Sequence, residues 1–151
     1  MLDNDLNVRK SEGTDKIWLC TNHIMEYYIY ACYFEPQEEI LMPELPIAEY
    51  YRTYADLCVK LQKYKRAEDA YKKALCWNPV DLDSYFGLAE CYKYLNMMSR
   101  YLDVTKQAYR FCCTRATMAR YYRNMGFYYL SSYNTDMAKA CYTYSLSLIH
   151  I

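Results

Sequence analysis

Apolar side chains recur at three- and four-residue intervals through most of this chain, and few breakers interrupt them. Ile17, Leu19, Cys20, Ile24, Met25, Tyr28, Ile29, Cys32 and Tyr33 mark a first helix. Asp15 is placed to cap it, and Glu35-Pro36 ends it near Phe34, because a residue before proline avoids the helical region. Gln37–Met42 reads as one short turn, and Pro43-Glu-Leu-Pro46 as a stiff connection. The next helix spans about Ile47 to Leu61 and its partner about Tyr64 to Cys76. On the solvent face of that partner, Lys65 with Asp69 and Glu68 with Lys72 set opposite charges one turn apart. Asn78-Pro79 closes the pair, and Asp81 is a good N-cap for the helix that follows. Ser99–Cys112 is a weaker helical stretch, and a last helix starts near Asp136 with Asn134 or Thr135 as its cap.

Composition agrees with an all-α chain. Only 3 Gly and 4 Pro punctuate 151 residues, which excludes a turn-rich sandwich or barrel. At this length the chain is one domain at most, or a short repeat array. Hydrophobic residues make up 54%, yet the mean hydropathy is −0.36, because 21 tyrosines count as hydrophobic and score as polar. In the adjacent pairs Tyr27-Tyr28, Tyr50-Tyr51, Tyr121-Tyr122 and Tyr128-Tyr129, neighbours point about 100° apart on a helix, so one ring can pack while the other stays wet. Lysine plus arginine and aspartate plus glutamate balance at 18 each, so no overall field draws nucleic acid or anionic lipid. No apolar run is long enough for a membrane span. Met1–Gly13 is polar and charged, unlike a secretory leader. The 8 cysteines therefore read as small buried thiols of a cytoplasmic protein.

A recurrence lies over the helical pattern. Tyr51-x2-Tyr54-Ala55-x2-Cys58 is followed by Ala67-x3-Tyr71, then Ala74 and Pro79. The front half returns as Tyr85-x2-Leu88-Ala89-x2-Tyr92, 34 positions on (85 − 51), and again as Tyr122-x2-Met125-Gly126-x2-Tyr129, 37 positions further (122 − 85). Ala138-x3-Tyr142 completes the third copy, whereas the second has Tyr101 where a small residue belongs. The three extra residues are expected to lengthen Arg110–Thr117 between the helices. Small residues at 55, 89 and 126, and at 67 and 138, let paired helices approach, and the large ones fill the groove beside them. This register resembles the tetratricopeptide repeat (TPR) family over about residues 48–150.

The resemblance implies a right-handed helical-hairpin solenoid of about three TPR units, 48–81, 82–118 and 119–151. Residues 1–14 are expected to be flexible, and 15–47 to form an N-terminal helix and proline-containing linker that cap the first unit. It also implies a protein–protein interaction scaffold with a concave groove, lined by the first helix of each unit, that holds a peptide or partner segment. Carried onto this chain, the groove positions are Glu49, Arg52, Asp56, Val59 and Lys60, then Asp83, Phe86, Glu90, Lys93 and Tyr94, then Arg120, Arg123, Asn124, Phe127 and Leu130. The groove reads as mixed to acidic at its start and basic with an aromatic at its end. Arg120, Arg123 and Asn124 suit a carboxylate or phosphate. A subgroup of the family clamps C-terminal carboxylates with Lys, Arg and two Asn, and here Asp56, Glu90 and Phe127 stand at three equivalent positions instead.

Residues for catalysis do not assemble. Cys20-x2-His23 is half a metal site without a second pair, and His150 stands alone near the end. No phosphate loop or nucleophile motif occurs, so neither enzyme activity nor a cofactor is expected. Solenoids usually finish with a polar capping helix, and Ser145–Ile151 is not one. The chain is thus expected to be truncated at its C-terminus, leaving Leu146, Leu148 and Ile149 as an apolar end open to self-association. Two other roles fit the same pattern: a self-associating structural element, and a regulatory part of a larger multidomain protein.

Overall fold

Three helical hairpins with one and the same turn make up most of the molecule. The computed structural model describes residues 15–149. The hairpins are α2 (Ile47–Lys60) with α3 (Tyr64–Trp77), α4 (Leu82–Tyr94) with α5 (Met98–Tyr109), and α6 (Arg115–Ser131) with α7 (Thr135–Ile149). Each helix packs chiefly on its neighbour in the chain, and α2 also reaches α4. In the three turns Gln62, Asn96 and Tyr133 take left-handed backbones, with φ of 56°, 56° and 60°. The following N–H in each case reaches back five residues: Lys63 to Cys58, Met97 to Tyr92 and Asn134 to Tyr129, all at 2.8 Å. This is the Schellman ending, which satisfies carbonyls that a helix terminus leaves bare. Glycine is the usual residue there, and none of the three turns has it.

The small-residue slots lie at helix contacts. Ala55, Ala67 and Ala89 are fully buried, and Gly126 and Ala138 are buried as well. A Cβ on Gly126 would come within 2.9 Å of the Tyr142 ring. The back half of the second hairpin, weak by pattern, exchanges two volumes. Tyr101 and Thr105 stand where the first hairpin has Ala67 and Tyr71, and both are buried. Tyr101 reaches out of its hairpin to donate to the Asn124 carbonyl at 2.9 Å and meets Phe127 edge-on. Among the described residues the Thr105 hydroxyl is a buried side-chain group with no hydrogen-bond partner.

One expectation about the hairpins is corrected. The extra residues of the third copy do not lie between helices but extend α6 at its start, giving 17 residues against 14 in α2 and 13 in α4. A capping box explains it: the Thr114 hydroxyl accepts from the Thr117 N–H while the Thr117 hydroxyl accepts from the Thr114 N–H. The last helix starts as expected, with the Asn134 side chain accepting from the Met137 N–H.

The front segment differs more. Where one helix from Asp15 is expected, the chain forms β1 (Lys16–Trp18), a loop, and then α1 (Ile24–Phe34). Where a turn is expected at Gln37–Met42, it forms β2 (Glu39–Leu41), paired in parallel with β1. Ile17 and Leu19 are buried with Lys16 and Trp18 more open, the two-residue period of a strand. The helix begins only after His23, where the Glu26 carboxylate accepts from the Asn22 N–H at 2.6 Å. The described residues are mostly helical, with this small sheet added.

Nor does the front segment cover the outer side of the first hairpin. It lies against the connections between hairpins. Glu26, buried, accepts from the Asn78 amide at 2.7 Å, and the Cys20 N–H donates to the Trp77 carbonyl. Tyr33 and Phe34 meet Phe111 in the α5–α6 connection. The expectation for residues 1–14 falls outside the described residues, as does His150.

Candidate functional site

The first helices of the three hairpins line one cleft of about 520 Å³. Arg52, Asp56 and Val59 come from α2, Asp83, Phe86, Gly87 and Glu90 from α4, and Arg120 and Asn124 from α6, with Tyr71 of α3 at the floor. The volume falls in the range typical of ligand sites. The Tyr71 ring can form this floor because α4 carries glycine at 87, where a Cβ would lie 2.3 Å from Tyr71 Cζ.

Charges in the cleft are paired in a pattern that crosses all three hairpins. Arg52 Nη1 lies 3.3 Å from Asp81 Oδ1 and 3.8 Å from Asp83 Oδ2. Arg120 Nη1 lies 2.8 Å from Asp83 Oδ1, and its guanidinium sits 4.6 Å above the Phe86 ring. Asp83 thus bridges two arginines from the flanking hairpins. Asp81 caps α4 by accepting from the Asp83 N–H, as expected, and also accepts from the Ser84 hydroxyl. Burial pushes the Asp81 carboxyl above its usual value, against the pull of Ser84 and Arg52. Burial works against the Arg52 charge too, but Asp81 and Asp83 outweigh it and hold the guanidinium more firmly protonated.

The remaining carboxylates have lighter company. The Tyr71 hydroxyl donates to Asp56 Oδ1. Burial and the nearby Asp56 charge together keep that phenol protonated far above its ordinary range. Glu90 pairs with Lys93 at 2.7 Å, and both side chains are partly exposed. Of the cleft's charged residues, three are carboxylates (Asp56, Asp83, Glu90) and two are guanidiniums (Arg52, Arg120), and both guanidiniums are turned onto aspartates.

Seven of the expected groove residues meet here: Arg52, Asp56, Asp83, Phe86, Glu90, Arg120 and Asn124, with Val59 beside them. Seven others do not line the cleft. Glu49, Lys60 and Arg123 are exposed on other parts of their helices, and Leu130 is exposed at the end of α6. Lys93 lies over the Tyr94 and Phe127 rings at 5.3 and 5.0 Å, Tyr94 stacks on Tyr64, and Phe127 packs on Tyr101. The expected basic end is therefore tempered: Arg120 is taken up by Asp83 and Phe86, and Arg123 stands outside.

Pattern reading missed Tyr71 and Gly87. Spacing assigns Tyr71 to packing alone, yet the TPR pattern that the chain resembles has phenylalanine in that slot, and a buried tyrosine needs a partner for its hydroxyl. That extra oxygen was the available signal. Gly87 falls two residues before the small slot at Ala89 and carries no periodic mark. No family model matches this chain, and no curated protein matches it.

Proposed function

We propose that this chain is a TPR-like helical-hairpin solenoid that binds a partner protein through an extended segment laid in the cleft. Three observations support the solenoid: the identical turns at Gln62, Asn96 and Tyr133, the recurrence of small slots, and first helices that share one concave side. The observation that carries the binding role is the cleft itself, preformed, polar and spanning three hairpins. Its charge selects the guest. With both arginines held by Asp81 and Asp83, the cleft carboxylates not bound to an arginine are Asp56, which meets only the Tyr71 hydroxyl, and Glu90, in a partly exposed pair with Lys93, and these suit a lysine or arginine side chain of the partner. The polar groups are engaged with one another, an arrangement suited to recognition rather than to proton transfer. A cytoplasmic setting belongs to the same reading, supported by the buried thiols of Cys20, Cys58, Cys91 and Cys141.

The test is selection from a displayed random peptide library against the full chain, with the Glu90→Lys variant as counter-target. Enriched peptides should share a basic residue and bind the variant at least about tenfold more weakly, a difference of ~1.4 kcal/mol, while its melting temperature stays put. Enrichment of acidic peptides, or peptides that bind both proteins equally, would refute the proposed mode.

A further inference from the structure

The outer side of α2 carries a second feature that the cleft does not use. Tyr50, Tyr54, Leu57 and Leu61 are exposed at 58, 50, 55 and 57%. Successive residues turn by about 100° on a helix, so these four share one stripe on the side of α2 opposite Arg52, Asp56 and Val59. Continuous exposed apolar surface of this kind marks an interaction site. The front segment, which could have covered it, lies against Trp77, Asn78 and Phe111 instead.

The spacing identifies the occupant. Steps of four, three and four residues read the same in either direction. A second α2, laid antiparallel, therefore sets Tyr50 against Leu61 and Tyr54 against Leu57, twice over, with each ring facing an aliphatic side chain. The polar flank of the stripe carries Glu49 near the start of the helix and Lys60 at its end, both exposed. In antiparallel pairing like flanks meet, so each Glu49 faces the Lys60 of the other copy. Antiparallel helix dipoles add to the fit.

We infer that a second copy of this chain docks on the α2 stripe, forming a two-fold symmetric, antiparallel α2–α2 dimer that leaves both clefts open. Such an interface is self-complementary, the commonest form among homo-oligomers. One helix pair sits at the low end of interface sizes, so the dimer is a micromolar one that forms with concentration.

Sedimentation of the full chain across a micromolar concentration series tests this directly. The wild type should shift from monomer to dimer. Leu57→Glu should raise the dissociation constant at least about tenfold, without lowering the melting temperature at monomeric concentration, since Leu57 is exposed in the single chain. Glu49→Lys and Lys60→Glu should each weaken the dimer, and the double exchange should restore it. Tyr144→Glu, on the exposed side of α7, should leave it unchanged. A wild type that stays monomeric overturns the inference, as it would if residues 1–14 occupied the stripe. So does a double exchange that fails to rescue, or a dimer that Tyr144→Glu disrupts, which would mean stacking of α2 on α7. None of these readouts involves the cleft, so the peptide proposal stands or falls separately.

Discussion

Gly87→Ala offers the sharpest check on how α3 and α4 are fitted together. Within a helix, replacing glycine by alanine ordinarily stabilises by about 1 kcal/mol, because alanine has less backbone freedom to lose. Gly87 lies inside α4, so propensity alone predicts a gain. The geometry predicts the reverse. The new methyl would stand 2.3 Å from Tyr71 Cζ and 2.6 Å from both Cε1 and the hydroxyl oxygen. Real carbons do not approach so closely, so something must move. The ring is poorly placed to do so: Tyr71 is 2% exposed and its hydroxyl is bound to Asp56. Overpacking of this kind costs about 1–3 kcal/mol, and loss of the Tyr71–Asp56 bond adds about 1–2 kcal/mol more, which together exceed the propensity gain. The net expectation is destabilisation by about 1–4 kcal/mol, read as a lower urea midpoint by far-ultraviolet circular dichroism. A second arm isolates the cause. In a Tyr71→Leu background the obstructing ring is gone, and the same Gly87→Ala change should be neutral or stabilising by up to about 1 kcal/mol. A Gly87→Ala protein at least as stable as the wild type, with Tyr71 intact, would refute the close approach and the cleft floor with it.

Two further outcomes follow from other parts of the structure. Burial alone would raise the Glu68 carboxyl, but the Lys72 ammonium bound to it at 2.7 Å brings it below the usual carboxylate range. A carboxyl depressed in the folded state contributes stability above its ordinary value and loses it as pH falls through the depressed one. Glu68→Gln should therefore destabilise at pH 7 by about 1–3 kcal/mol, and the penalty should shrink toward zero as pH drops below about 4. An unchanged penalty in acid would assign the loss to packing. Tyr133→Gly should stabilise by about 1 kcal/mol, since Tyr133 is 93% exposed and holds a left-handed backbone that suits glycine. A lower midpoint for that variant would show that the ring contributes something the turn geometry does not reveal.

Periodicity made the hairpins legible because a helix that buries one face repeats that demand at every turn. The boundaries of α2 and α3, the caps at Asp81 and Asn134, and the small slots at 55, 89 and 126 all follow from that demand. The front segment escaped because Ile17, Leu19 and Cys20 are apolar in a short run, where a strand and the first turn of a helix look alike. Its strand partner Glu39–Leu41 lies more than twenty residues away, and such pairing leaves no local mark. In the second hairpin the exchange of volumes between 101 and 105 hides the motif while preserving the packing. For the cleft, spacing marks the face of a helix and so finds Arg52, Asp56, Asp83, Phe86 and Arg120. It says nothing of which charges pair with each other, and so the capture of both arginines by aspartates became visible only in three dimensions.

The front segment runs like a brace along the backs of the hinges. Through Glu26 and Cys20 it is fastened at the first joint, and through Tyr33 and Phe34 it leans on the second. A chain of hairpins held only by its neighbours can flex like a spring. Here any straightening or tightening of the arc would have to tear a buried carboxylate from its amide partner or prise apart stacked rings. If the cleft takes a partner as proposed, that partner meets a shape the brace already holds, and less ordering is left for binding to supply.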